Sequence, residues 1–236
     1  MKATIHQPDF MPWYGFFRKI AIADVWIVLD HSENNPRDSK FWGRRVKINV
    51  YGKEHWLSIP LTKPGEKGLI GLAIKDMTIN VKEKKIFKNR LKTIYMAYQK
   101  APFFRDFIFL VENYFNDSEN NLVIRNMRFI KKVLKILEIN TQIKFSSSFG
   151  VNSKSNQMLI ELLKIVGAET YLCGLGSGGY QKDEMFRKSG INIEYNKFKH
   201  PIYKQIKAKE FIFGLSILDL LFMNGAEKVS FWINKK

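Results

Sequence analysis

The chain has 236 residues, 45% apolar and 14% aromatic, which suffices for one substantial core and argues against intrinsic disorder. A net charge of +17 favours polyanionic partners, and the single cysteine, Cys173, rules out an internal disulfide and a Cys-based zinc site. No uncharged apolar run approaches the roughly 18–20 residues that span a bilayer, and residues 1–8 lack the apolar core of a secretory signal, so the sequence predicts a cytoplasmic protein without a transmembrane segment. Much of the basic excess is Lys spread along the chain, with a mild concentration in residues 81–138, where 13 Lys and Arg face 6 Asp and Glu.

Residues 3–5 read as a short strand that stops before Pro8, because proline cannot donate to a ladder and restricts the residue before it. A compact loop over 11–15 leads to a helix over 16–23, and Asp24 turns into the apolar run 25–29, which suits a central parallel strand. Strand, loop, helix and strand make a βαβ unit. After a polar loop over 32–40, the runs 46–50 and 55–59 flank Gly52 as a hairpin, followed by a loop over 63–68. Three amphipathic helices fill 82–138, separated at Pro102 and at Asp117-Ser118. The α/β pattern then resumes: a strand at 143–145, a helix capped by Ser153 or Ser155, and a strand at 170–173. A glycine-rich loop at 174–180, a helix over 182–189 and a strand at 191–195 follow, and the apolar stretch 211–222 predicts a buried helix. The pattern predicts a single α/β domain over 1–236: a Rossmann-like, mostly parallel sheet flanked by helices, with a hairpin and a helical insertion at 81–138.

Ligands of open parallel sheets bind outside the carboxyl ends of strands, and His6-Gln7, Asp30-His31 and the loop from Gly174 to Tyr180 all fall at such ends. His6 or His31 could act as a general base or contact a phosphate or hydroxyl; either could equally be a histidine satisfied within a turn. Asp30 could orient His31 or a substrate hydroxyl, bind a metal, or cap the following loop. Gly174, Gly176 and Ser177 offer bare backbone N–H groups to an anion, with Tyr180 behind them, although the spacing matches neither the Walker A loop nor the dinucleotide fingerprint. Arg44 and Arg45 could clamp a phosphate or carboxylate, or be a solvated basic hairpin. Trp13 and Trp56 could stack on a sugar or base, or be core. Asp219, on a buried helix, needs a partner. The spacing of the histidines with Asp30 fits no strong metal motif, so no bound metal is expected.

Several phrases resemble those of one family. His6-Gln7-Pro8-Asp9-Phe10-Met11-Pro12-Trp13-Tyr14-Gly15-Phe16-Phe17, followed by Ala23-Asp24-Val25 and Asp30, resembles the opening of the WbqC-like family. Trp42 through Ile48, Trp56-Leu57-Ser58-Ile59-Pro60, Ala97-Tyr98-Gln99-Lys100-Ala101-Pro102 and Leu215-Ser216-Ile217-Leu218-Asp219 are similar to later phrases, in order along the chain. Two departures stand out: Phe10-Met11 in place of Tyr-Leu, and Gly43-Arg44-Arg45 in place of Asn-Arg-Asn. The resemblance implies a bacterial transferase of surface-polysaccharide (lipopolysaccharide, O-antigen) biosynthesis. It would move an acyl or aminoacyl group onto an amino or hydroxyl group of a nucleotide-linked sugar, with that sugar and an activated acyl donor as substrates and no tightly bound cofactor. In that reading His6 or His31 deprotonates the acceptor, with Gln7 beside His6, while Arg45 and the glycine-rich loop hold phosphates. Glycosyl transfer is the alternative chemistry, lacking a D-x-D for a metal-dependent version. A non-catalytic protein binding RNA or a membrane surface is the alternative of another class, and tRNA could also enter as donor. The opening is also similar to nucleotidylyltransferase-type domains, without their H-x-G-H, which favours a Rossmann-like sheet. Oligomeric state is left open.

Overall fold

The computed structural model describes residues 1–33, 41–63, 71–174 and 181–235. Strand β1 (Lys2–His6) leads through helix α1 (Tyr14–Ala21) to β2 (Val25–Val28), which pairs with β1 in parallel. An antiparallel hairpin of β3 (Arg45–Val50) and β4 (Lys53–Ser58) follows, then three helices, α2 (Lys84–Tyr98), α3 (Phe104–Asn116) and α4 (Leu122–Ile136). The chain returns to the sheet as β5 (Gln142–Phe145), passes through α5 (Ser155–Ile165) to β6 (Thr170–Cys173), and through α6 (Asp183–Lys188) to β7 (Asn192–Tyr195). Helix α7 (Ile217–Asn234) closes the fold. The five-stranded sheet has the order β5-β2-β1-β6-β7 with every pairing parallel. The chain therefore grows outward from β1 in one direction, then crosses back over β1 and grows in the other, which is the doubly wound pattern.

Strand β2 has an apolar side chain at every position because both faces of the sheet are covered. Trp26 and Val28 join a core with Phe16, Phe17 and Ile20 of α1 and the apolar stripes of α2, α3, α4 and α7. Val25 and Ile27 point the other way, into a core with Leu159, Leu162 and Leu163 of α5 and Phe186 of α6. Period-two alternation assigns each residue to one layer.

Two helix starts differ from the sequence expectation. The helix predicted over 211–222 begins only at Ile217, breaks at Gly225, where φ is 75°, and resumes as a second helical stretch to Asn234. Gly214, at φ 72°, turns the chain, and the Ser216 side chain caps the helix by accepting the Leu218 N–H. Helix α5 starts without a side-chain cap: Lys154 occupies the cap position, and the Ser153 hydroxyl donates to Glu161 instead, at 2.7 Å.

Two buried polar groups fasten the periphery to the sheet. The Asn126 amide of α4 donates to the Pro8 and Gly43 carbonyls, both at 2.8 Å, while its oxygen accepts from the Tyr114 hydroxyl at 2.7 Å. The Asp219 carboxylate accepts from Tyr98 at 2.9 Å and Tyr203 at 2.8 Å, and the Tyr98 oxygen accepts the Asn49 N–H at 2.8 Å. Asp219 is thus the buried acid whose partner the sequence required, and that partner is a pair of tyrosines. Burial pushes its carboxyl up to about 6, against the two hydrogen bonds that pull it down.

Asn126→Ala leaves two buried carbonyls without donors and should cost about 2–4 kcal/mol, read as a lower urea midpoint at unchanged m-value. For Asp219 the sign follows from the raised folded value. Between about pH 4 and 6 the folded state holds a proton that the unfolded state has lost, so this carboxyl's contribution to stability falls as pH rises through that window. The difference in unfolding free energy between wild type and Asp219→Asn should therefore shrink from pH 4 to 6; a difference independent of pH refutes the assignment.

Candidate functional site

The strand order reverses between β1 and β6, and a cleft of roughly 680 Å³ lies at their carboxyl ends. His6 is the last residue of β1. Its carbonyl accepts the Leu29 N–H at 2.9 Å and the Trp26 indole N–H at 3.2 Å, which fixes the backbone where the strand ends. The loop that follows is held from three sides. Phe10 N–H donates to the Trp42 carbonyl at 2.9 Å, Ser216 Oγ to the Met11 carbonyl at 2.8 Å, and Asn126 to the Pro8 carbonyl. Met11 sits at φ 44°, a left-handed conformation that these bonds sustain.

Within this frame His6, Asp9 and Lys19 line the cleft together. The His6 Nδ1 lies 2.9 Å from the Gln7 carbonyl, which can only accept, so Nδ1 carries the proton and Nε2 the lone pair. Asp9 Oδ2 is 3.7 Å from the same nitrogen. Burial, then the nearby Lys19 charge, push His6 down to about 3, so the ring is neutral at physiological pH although 31% of its side chain opens to the cleft. Burial pushes Asp9 up to about 7 against the pull of Lys19, and burial brings Lys19 down to about 8 against the pull of Asp9. A carboxyl and an amine that both change charge near neutrality, in one cleft, are equipped for proton transfer.

The walls are aromatic. Trp13 and Phe198 face each other at 5.8 Å, and Gly15 makes room for both: a Cβ there would lie 2.5 Å from the Trp13 ring and 2.7 Å from Phe198. Trp42 and Phe213 line the cleft from the hairpin side and from the segment before α7. Lys47 of β3 adds a cation at the rim, paired with Glu54 at 3.0 Å. Asn196, just past β7, donates to the Gly15 carbonyl at 3.4 Å, and its buried Oδ1 has no partner among the described residues.

Of the residues singled out from sequence, His6, Trp13 and Gly174 line this cleft, and Gln7 anchors the His6 ring. Gly176, Ser177 and Tyr180 lie outside the described residues. Asp30 and His31 do not line it. They lie just past the end of β2, one strand out from the switch point, next to the end of β5. There the Asp30 carboxylate accepts from Ser146 Oγ at 2.9 Å, Ser147 N–H at 2.9 Å and Ser147 Oγ at 2.6 Å. His31 Nδ1 is 2.6 Å from Ser146 Oγ, and burial lowers the ring's pKa against the pull of Asp30. Arg45 lies 4.1 Å over the Trp56 ring, and Trp56 packs on Trp42 at 5.3 Å, so this pair backs the cleft wall from behind. Burial lowers the pKa of Arg44, with the adjacent Arg45 adding to the effect. Asp219 is wholly buried in the network with Tyr98 and Tyr203.

Asp9 and Lys19 escape a sequence reading based on strand ends. The available signals were spacing: Asp9 is three residues past His6, and Lys19 is three past the buried Phe16, on the inward face of α1. Among the described residues no group of three or more His, Cys, Asp or Glu side chains could hold a metal ion, and no helix is long and apolar enough to cross a membrane.

A doubly wound parallel sheet with a cleft at its switch point places the chain in the Rossmann-like α/β class. Its membership is more specific: the chain belongs to the WbqC-like protein family, whose model matches residues 7–231. It is similar to the uncharacterized protein Rv1507c of Mycobacterium tuberculosis, with 26% identity over 230 residues covering 96% of this chain and 95% of the relative. No solved structure matches it.

The coupling of Asp9 to Lys19 has a directional test. Lys19→Met removes the charge that holds the Asp9 carboxyl down, so the Asp9 midpoint should move above about 7 in a carbon-13 carboxyl NMR titration. An unmoved or lower midpoint contradicts the coupling.

Proposed function

We propose that the chain is a group transferase of surface-polysaccharide biosynthesis that moves an acyl or aminoacyl group onto an amino or hydroxyl group of a nucleotide-linked sugar. The observation that carries this reading is the His6, Asp9 and Lys19 set at the floor of an aromatic-walled cleft. Trp13, Trp42 and Phe213 offer flat apolar faces to a sugar or base, and Lys47 offers charge to a phosphate. Family membership supports the biological setting.

The roles follow from proton affinity. With a pKa near 3 the His6 imidazole is too weak a base to deprotonate an acceptor, and its Nε2 lone pair serves to orient an acceptor N–H or O–H. Asp9, near 7, is the base. As the acceptor nitrogen or oxygen bonds to the acyl carbon, its proton passes to the Asp9 carboxylate. The bond from that carbon to the donor's oxygen or sulfur breaks, and the Lys19 ammonium, near 8, returns a proton to the leaving atom.

A nucleotide sugar such as UDP-N-acetylglucosamine, at about 100 times its Kd, should raise the melting temperature by roughly 5–10 °C, as expected for a ligand of the native state alone. With an identified donor and acceptor, Asp9→Asn should slow transfer by about 10²–10⁴-fold while leaving the fold intact by circular dichroism. Mass spectrometry of the product separates acyl from glycosyl transfer. Salt-sensitive binding of single-stranded RNA that survives Asp9→Asn, without any nucleotide-sugar shift, would favour the non-catalytic reading instead.

A further inference from the structure

A second groove, of roughly 710 Å³, adjoins the cleft and shares Lys47 and Phe213 with it. It runs between the turn of the β3–β4 hairpin and the segment that carries the chain toward α7. Both banks are tied down. Asn49 Nδ2 donates to the Ile206 carbonyl at 2.9 Å, and Asn49 Oδ1 accepts the Gly52 N–H at 2.8 Å. Gln205 closes residues 205–212 on themselves, donating to the Ile212 carbonyl at 2.9 Å and accepting its N–H at 2.8 Å. Only glycine fits at position 52, where φ is 82° and a Cβ would lie 2.1 Å from the Lys207 carbonyl oxygen. Lys207 itself is held at φ 54°, with its ammonium 4.7 Å over the Tyr51 ring.

This rigid frame presents four lysines, Lys47, Lys53, Lys207 and Lys209, against two acids, Glu54 and Glu210, of which Glu54 is engaged by Lys47. Two aromatic rings stand exposed beside them, Tyr51 at 51% and Phe213 at 57%. Large exposed rings among lysines on a braced surface match a ligand with both phosphates and a stacking face.

We propose that this groove is the nucleoside-diphosphate subsite: Lys53, Lys207 and Lys209 hold the phosphates, Phe213 offers its face to the base, and the sugar passes Lys47 into the cleft. The assignment rests on the transferase reading above and extends it from one cavity to two. The geometry separates binding from chemistry, since Lys53, Lys207 and Lys209 lie outside the cleft that holds His6, Asp9 and Lys19, and Lys47 alone among the lysines borders both.

The test uses UDP, ADP and inorganic pyrophosphate as probes in calorimetric titrations at 150 mM salt, on wild type, Asp9→Asn and the double variant Lys53→Glu/Lys209→Glu, whose two sites are exposed. UDP or ADP affinity should fall at least tenfold in the double variant and stay within twofold in Asp9→Asn, with pyrophosphate weaker than either nucleotide. Equal nucleotide affinity in the double variant and wild type overturns the groove while leaving the cleft's role standing. Absence of diphosphate binding to wild type also overturns it, and transfer lost in Asp9→Asn would then uphold the cleft alone. Lys53→Glu/Lys209→Glu that loses affinity for a single-stranded oligoribonucleotide, with no diphosphate bound by any form, assigns the groove to nucleic acid and refutes the proposal.

Discussion

A single amide joins the loop after the first strand, the approach to the hairpin and the helical layer. Asn126, on the fourth helix and sealed from solvent, gives both its protons to carbonyls of segments that are far apart in sequence, one just past the first strand and one beside the hairpin. Proline at position 8 ends the ladder of β1, so the loop beyond it has no sheet to satisfy its backbone. The helical layer supplies that satisfaction instead. The loop that carries Asp9 and Trp13 is therefore positioned by α4 and by the cap of α7 as much as by the strand it leaves. The three-helix segment is thus part of the apparatus that shapes the cleft, and its amphipathic stripes share one core with α1 and α7.

Stability is given up where the cleft encloses charge. A lysine and an aspartate buried in one cleft each lose hydration, and their mutual attraction only partly offsets that loss, which is why both are moved toward neutrality. Asp219 meets the same problem differently. It is as deeply buried but takes hydroxyl donors from two tyrosines and serves to join α2, the chain after β7 and α7. Two buried carboxyls with similar cost thus have different uses, and what separates them is whether a cleft opens beside them.

Much of the sheet was legible because its signals are strong and local: four consecutive apolar residues in β2, alternation in the hairpin, and three helical stripes between Pro102 and Asp117 as dividers. The segment 211–216 was misread for a physical reason. Phe211, Ile212 and Phe213 are apolar without being core, and Gly214 and Ser216 carry the stop and start signals that an apolar count ignores. The site was partly legible. His6 was marked by its place at a strand end and Trp13 as a ring that could stack on a sugar or base, but Asp30-His31 has the same local signature as His6 and sits one strand further out, where the neighbour is Ser146. Strand order, which no local pattern encodes, decides between them. Lys19 was hidden because periodicity treats a lysine as solvent-facing, whereas here its ammonium is enclosed.

The central place of β1 also bears on how the chain is made. One edge of that strand is covered within some twenty residues by β2, but the other waits for β6, roughly 140 residues after β2 ends. At about 5–20 residues per second, a ribosome takes on the order of 7–30 s to supply it. During that interval the nascent chain carries an open apolar strand edge in the middle of its future sheet, the kind of surface that recruits foreign strands. Codon tempo and chaperone occupancy across residues 30–170 therefore bear on how long that edge stays open.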